Sequence, residues 1–595
     1  MNTKNVTLRA NNKSTTKWLV VASVVLNMAA FLLVIALYPP VWYTNDDYRM
    51  MTIASGAYTG IPSADVIFMK YPVGLLLSSL YKLTTYIPWY GFFTILCMFV
   101  PCCIFCYYIL KKAYHKNRIL VGLLLYTVLF LFFIQKYICL PQFTLTAAFL
   151  GVGAIVLIYE MPAKNNMWNI LLAVFCCVLS FSVRSKAFYL LVPLILLIVI
   201  VRLITEKNFA LIKSFASVAL VAVVICAGVA AVDCVAYNRS EEMQYFERFN
   251  SARAQVYDYG GAPAYYDHMP FYVENGISEV TYRAMSARHL DIYDGINAQS
   301  LETVAEYIDE IRENSDTLLG RINTALKETI EYWIDSGDEV VKYSSICVFI
   351  LLFLNLALGI KRNKCIYPLA VAGFILESVF LMYSGRLVVR VLDTLLLSLG
   401  VLGTLGVMEL IQPRFNSIKE LPTSILSDKQ QIITRVLVSI CVVSIAFTGV
   451  IGLNTAVKDK YHSVAVTQNS RMNGLKAYAE LYPENFYFYD AFNFISCSDY
   501  VFRTYKEGKI LNHDSTGSWN VHSETYYDRN ANWGFTTSID GLISKQGNVY
   551  YVATDTLKMG ITKTLKDVYN KKLQLVETID SDNYILYIYM VVDDD

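Results

Sequence analysis

The chain has 595 residues, of which 55% are hydrophobic and 17% charged, and its net charge is +1. With a mean hydropathy of +0.41, this composition describes a membrane protein carrying some extramembrane mass and excludes an ordinary soluble enzyme. A charge so close to zero supplies no global field for nucleic acid.

Lys4, Arg9, Lys13 and Lys17 precede the first apolar run, residues 18–38, and place the N-terminus in the cytoplasm by the positive-inside rule. The run is too long for a cleavable signal peptide, and no small-residue cleavage site follows it. At roughly 20 apolar residues per crossing, further spans are predicted at 88–110, 119–135, 138–159, 169–183, 187–204, 214–236, 343–360, 366–383, 388–411 and 435–454. The expectation is therefore about eleven spans. The loops this order puts inside (111–118, 160–168, 205–213, 361–365 and 412–434) all carry basic residues, among them Lys111, Lys112, Arg118, Lys213, Arg362, Arg414, Lys419 and Lys429. The outer side receives 39–87, 237–342 and 455–595. The predicted organisation is a membrane region over 1–236 with its first outer loop at 39–87, an extracytoplasmic loop at 237–342, membrane spans over 343–454 and an extracytoplasmic domain over 455–595.

Within the first outer loop, Val73–Leu83 is apolar but short and bracketed by Lys70 and Lys82. It is predicted to lie in the outer interface as an amphipathic helix. The 237–342 loop has roughly twice as many acidic as basic residues, and apolar periodicity over 299–334 predicts a helical extramembrane subdomain. The tail reads as α/β, with a helix at Met472–Tyr482 and strands at 485–489, 548–553, 573–579 and 584–592, rich in β-branched and aromatic residues. Nearly all of the 13 cysteines lie in apolar runs, Cys497 being the clear exception, so no disulfide framework is expected. No spacing points to structural zinc.

The candidate chemistry starts with Asn45-Asp46-Asp47-Tyr48, just after the Pro39-Pro40 break. Adjacent carboxylates at the mouth of a membrane helix are costly unless water or substrate reaches them. One can serve as general base towards an acceptor hydroxyl while the other orients it or holds a metal. The competing reading is a helix N-cap. The second element is Phe68-Met69-Lys70-Tyr71-Pro72-Val73-Gly74-Leu75-Leu76, followed by Ile87-Pro88-Trp89-Tyr90 at the next span.

A first helix from the cytoplasm, an acidic motif in the first outer loop and a basic, Pro-containing motif before an amphipathic helix resemble the GT-C superfamily of membrane glycosyltransferases. The likeness is to the protein mannosyltransferases and lipid A aminoarabinose transferases. It covers about the first quarter by motif and the membrane region by topology, and it is an analogy of fold and site. The resemblance implies a polytopic α-helical membrane protein with outer interfacial helices and an α/β extracytoplasmic domain. It also implies transfer of a sugar from a polyprenyl-phosphate donor to a glycan, lipid or protein acceptor at the outer face of the cell membrane, in bacterial cell-envelope glycan assembly. Asp46 and Asp47 would be the catalytic pair, and a divalent cation, Mg²⁺ or Mn²⁺, is compatible with them.

A phosphate leaving group calls for cations at the same height. Arg184 and Lys186 between two spans, and Arg386 and Arg390 after Ser384-Gly385, are outer-side cations that run against the positive-inside trend. Arg386 and Arg390, four apart, would share a helix face and grip a phosphate; snorkelling to lipid headgroups competes with that reading. Lys70 joins the donor-phosphate candidates through its place in the motif. Tyr265, Tyr266 and His268 form a weaker candidate for acceptor binding, since aromatics stack on sugars; loop packing is the alternative. Two rival functions remain at this point. A transporter or flippase for a lipid-linked glycan needs charges deep in the spans or broken helices in paired halves, and a non-catalytic scaffold would tolerate Asn at both aspartates.

Overall fold

The computed structural model describes residues 2–164, 167–259, 261–314, 317–335, 338–358, 361–410, 452–490, 499–554, 558–581 and 584–594. The span expected at 435–454 falls almost wholly outside the described residues, as do Arg414, Lys419, Lys429 and Cys497.

Apolar runs become helices because a backbone in lipid must satisfy its own hydrogen bonds. In chain order they are α1 (Asn2–Leu37), α2 (Asn45–Ser55), α3 (Tyr71–Leu83), α4 (Trp89–His115), α5 (Ile119–Phe133), α6 (Gln135–Cys139), α7 (Phe143–Tyr159), α8 (Met167–Glu206) and α9 (Phe209–Tyr237). Helices α10 (Glu241–Asp258), α11 (Met269–Glu274), α12 (Glu279–Ser286), α13 (Ala298–Asn314) and α14 (Leu318–Asp335) form the next stretch, and α15 (Glu339–Leu358), α16 (Lys361–Tyr383) and α17 (Val389–Leu410) return to the bundle. Among the described residues seven helices are long and apolar enough to cross a membrane, and α5 and α7 are shorter apolar helices packed among them.

The predicted spans 169–183 and 187–204 form one helix by assignment, yet the chain reverses within it. Arg184 leaves helical geometry (φ −157°, ψ 96°). Before it, Ser180 Oγ donates to the Ala147 carbonyl at 2.7 Å. After it, Leu191 packs on Gly151 and Arg202 donates to the Ile158 carbonyl at 2.9 Å. Both arms therefore run alongside α7, one up and one down, with Arg184 at the turn.

The two ends of the bundle differ in their charges. At one, Lys112 bridges Glu160 (2.9 Å) and Glu409 (2.6 Å). At the other, buried Lys136 of α6 lies 3.3 Å from both Asp338 and Asp393, tying α6, α15 and α17 together. Helix α3 is 13 residues long, about 20 Å, too short for a hydrocarbon layer of about 30 Å. It buries Val73, Leu77 and Tyr81 while leaving Leu75, Leu76 and Leu83 exposed, the pattern of a helix lying flat on lipid.

The C-terminal sheet has the order β2-β1-β3-β5-β4, with β1 Phe486–Asp490, β2 His513–Thr516, β3 Val549–Ala553, β4 Lys571–Ser581 and β5 Tyr584–Asp593. Strand β1 pairs parallel with β2 and β3, while β3–β5 and β5–β4 are antiparallel. Four of these strands match the expected ones. The fifth, His513-Asp514-Ser515-Thr516, is too polar and short to carry a period-2 signal.

Replacing Lys136 by Met leaves Asp338 and Asp393 buried with their main countercharge gone, a loss of about 3–5 kcal/mol for a broken buried pair. A marked fall in the thermal midpoint of the detergent-purified protein is expected. An unchanged midpoint would show that the cluster contributes no stability.

Candidate functional site

The segment leading into α2 is stitched to three neighbours. Val41 N–H donates to the Cys139 carbonyl, Trp42 N–H to that of Asp499 and Tyr43 N–H to that of Pro141, at 3.0–3.1 Å. Thr44 is extended and α2 starts at Asn45, with Asp46 and Asp47 in its first turn, where carboxylates suit the positive end of the helix dipole.

Successive residues of a helix point about 100° apart, and the two aspartates separate accordingly. Asp47 turns into the bundle, accepting from the Tyr90 hydroxyl at 3.0 Å and from the Phe143 N–H at 3.1 Å. Phe143 opens α7, so Asp47 also caps a second helix. Burial pushes its carboxyl well above the usual range, against the lowering effect of the Tyr90 bond, and the charge of Asp46 adds to the rise. Asp46 faces a cavity instead. Among the described residues its carboxylate has no hydrogen-bond or ion-pair partner. Burial raises its pKa, while Arg390, Arg184 and Arg253 pull it down.

The cavity has a volume of about 930 Å³ and is lined by nine basic and five acidic side chains. Four of the cations expected from sequence lie in it. Arg184, at the α8 reversal, stands over the Phe68 and Phe143 rings at 5.2 and 5.1 Å, and Lys186 follows it. Arg386 pairs with Asp258 at 3.0 Å and lies over Tyr259. Arg390 sits in the first turn of α17. The expectation that Arg386 and Arg390 share a helix face is corrected: α17 starts at Val389, and Arg386 lies in the preceding turn. They reach the cavity from different backbone settings. Gly385 has φ +78°, and a Cβ there would meet Arg312 at 2.9 Å and the Tyr259 carbonyl at 3.1 Å, so this turn favours glycine.

Other candidates lie elsewhere. Lys70 does not line the cavity: its Nζ pairs with Asp233 at 2.7 Å, and Asp233 also accepts from the Tyr71 N–H. This buckle holds the start of α3 against α9. Tyr265 is buried in the helical subdomain, stacked on Tyr272. Tyr266 is exposed, and His268 bonds to the Tyr307 hydroxyl at 3.0 Å; none of the three lines the cavity.

Sequence reasoning missed half of the wall. Arg253 (α10), Arg288 (after α12), Arg312 (α13) and Arg321 (α14) come from the loop between α9 and α15, and Ser515, Gly517, Ser518 and Trp519 come from the end of β2. The one available signal was a set of arginines in an otherwise acidic loop; nothing local announces their approach to Asp46. Arg288 has φ +56°, a left-handed conformation uncommon for non-glycine residues.

The sheet domain is locked to α2 next to the aspartates. Arg49 pairs with Asp514 of β2, which also accepts from the Tyr58 hydroxyl at 2.8 Å and forms a second ion pair with Arg529 at 2.6 Å. All four groups are buried. Burial alone would raise the Asp514 pKa; Arg49 and Arg529 hold it below the usual carboxylate value. Beside this, Lys476 pairs with Asp499 at 2.8 Å and covers the Tyr48 ring.

As for a metal, no three His, Cys, Asp or Glu side chains come together as a binding group among the described residues. Asp47, already engaged by Tyr90 and Phe143, points away from Asp46, so the pair does not form a two-carboxylate cradle.

Helices of spanning length, an extramembrane sheet and a charged cavity at one end of the bundle define a polytopic helical membrane protein. No family model and no curated protein matches the chain. Among solved structures it is similar to ArnT from Cupriavidus metallidurans bound to undecaprenyl phosphate, at 8% identity over 96% of this chain and 98% of that one, with a TM-score of 0.36. Similarity at that level defines neither activity nor ligand for this chain.

Asp514→Asn leaves Arg49 and Arg529 buried beside a neutral amide. A loss of about 3–5 kcal/mol is expected, read as a lowered thermal midpoint and earlier proteolysis of the C-terminal domain. Unchanged stability would contradict the role of this contact.

Proposed function

We propose that the chain is a membrane glycosyltransferase that moves a sugar from a polyprenyl-phosphate donor to an acceptor hydroxyl at the outer face of the cell membrane, in cell-surface glycan assembly. The observation that carries this reading is the placement of Asp46, unpaired among the described residues, in one cavity with Arg184, Lys186, Arg386 and Arg390. The acid motif and the Lys70–Gly74 element, which resemble those of GT-C enzymes, support the same reading. The basic loops at the opposite end of the bundle orient the cavity outward.

In this mechanism the acceptor hydroxyl gives its proton to Asp46 as its oxygen attacks the anomeric carbon. The bond from that carbon to the phosphate oxygen breaks, and the electron pair leaves with the polyprenyl phosphate. The phosphate goes from one negative charge towards two, and the guanidinium groups of Arg184 and Arg390 offset the charge that develops. One base and one leaving group make a single displacement with inversion. Asp47 is a positioning residue, because its bonds to Tyr90 and Phe143 fix the turn that carries Asp46. Lys70 acts at a distance by holding α3.

Asp46→Asn is expected to lower kcat by about 10²–10⁴, the contribution of a positioned general base, with donor KM little changed; the assay is transfer from a radiolabelled polyprenyl-phosphate sugar. Wild-type turnover in this variant would remove the enzyme reading. A base must be unprotonated, and burial raises the pKa of Asp46. The acid limb of kcat/KM should therefore fall at a pH above the ordinary aspartate value of 3.8, with activity lost as pH drops through it. Arg390→Gln removes a charge-assisted contact of about 1.5–3 kcal/mol and should weaken donor binding by roughly one to two orders of magnitude; equal donor affinity would contradict the phosphate role.

A further inference from the structure

We infer that α14 is embedded in the lipid of the membrane leaflet beside the cavity, its apolar stripe covered by acyl chains, and is not part of a water-exposed subdomain. The inference goes beyond the proposed transfer activity and does not depend on it.

Helix α14 has 18 residues, about 27 Å at 1.5 Å per residue. Its circumference divides into three sectors. Arg321, Ala325 and Thr329 turn inward: Arg321 lines the cavity, and the other two are buried. Lys327, Glu328 and Glu331 form an exposed polar sector, with Lys327 and Glu331 paired at 3.8 Å. Between them runs an exposed apolar sector of Leu319, Ile322, Leu326, Ile330 and Ile334, from 42% to 80% accessible. So large an apolar strip in water would be a liability. Protein on one side, hydrocarbon on the second and water on the third is the arrangement of a helix at a membrane interface.

The contacts of α14 give its depth. Arg321 lies over the Tyr383 ring at 5.5 Å, level with the end of α16. Trp333 stacks on Phe374 at 5.0 Å and 17°. Phe374 lies about 14 Å further down α16 at 1.5 Å per residue, inside a helix of spanning length. The α14 axis thus runs beside the outer part of α16, between Tyr383 and Phe374. At that height α16 exposes the apolar side chains of Leu376 and Phe380 beside the stripe of α14. Acyl chains that cover the spans at this height cover α14 as well. The helix also forms a wall through which Arg321 reaches the cavity from the lipid side.

The test is photo-crosslinking of the full chain reconstituted in phosphatidylcholine vesicles carrying a labelled phospholipid. A diazirine amino acid replaces Ile330 on the apolar sector or Lys327 on the polar one. The lipid adduct is expected to be at least about tenfold more abundant at 330 than at 327, and Leu319 gives a second apolar position should the 330 variant fail to fold. Equal adduct yields at 330 and 327, or a chain-to-chain adduct at 330 in place of the lipid adduct, would overturn the inference. No donor, acceptor or turnover is needed, so the outcome is independent of whether Asp46 is a catalytic base.

Discussion

The contact between Arg49 and Asp514 holds the site together. It joins the helix carrying the two aspartates to the edge of a sheet domain more than 450 residues later in the chain. Buried charge pairs contribute little net stability relative to apolar packing, but losing one partner is costly. Such a pair therefore fixes registration more than it adds strength. Here Arg529, on a third element, shares the same carboxylate. Ser515, Gly517, Ser518 and Trp519, which follow Asp514, then fall against the cavity.

Three separate regions thereby enclose one space. The bundle supplies Asp46, Arg184 and Arg390, the loop between α9 and α15 supplies Arg253, Arg288, Arg312 and Arg321, and the sheet domain closes the remaining side. The concentration of positive charge fits an anionic ligand, and a carboxylate with no partner among the described residues, that of Asp46, fits a proton acceptor. Asp46 is held ionisable by a balance: burial favours the neutral form, and the arginines favour the charged one. In the proposed mechanism, removing a cation would thus move both ligand affinity and the pKa of Asp46. Under that proposal the two roles are coupled through the same few ångströms of space.

Much of the architecture was legible in the sequence, for physical reasons. Lipid imposes long apolar runs on helices, so α4, α9 and α16 could be placed within a few residues and α1 at its C-terminal end. The reversal at Arg184 was legible as a Ser-Val-Arg-Ser-Lys break between two apolar runs. The four apolar strands of the sheet were visible, but β2 was hidden because its residues serve ion pairing more than packing. Adjacent carboxylates also conceal their division of labour. Helical geometry allows only one of Asp46 and Asp47 to face the cavity, but which one depends on Tyr90 and on the start of α7, both remote in sequence. Lys70 was drawn to the site by its motif, while its true partner, Asp233, lies at the end of a span 163 residues away. The cavity arginines of the 237–342 loop left no local trace, since their periodicity serves helices whose packing only tertiary structure reveals.

The central claim is that a base and a set of cations face each other across one lipid-accessible cavity. It is met most directly by a cryo-electron microscopy structure of the full chain with a bound polyprenyl phosphate. The account predicts phosphate density within hydrogen-bond reach of the Arg184 and Arg390 guanidinium groups, with the Asp46 carboxylate open on the same space. A phosphate bound outside the cavity, or an Asp46 side chain turned away from it, would contradict it.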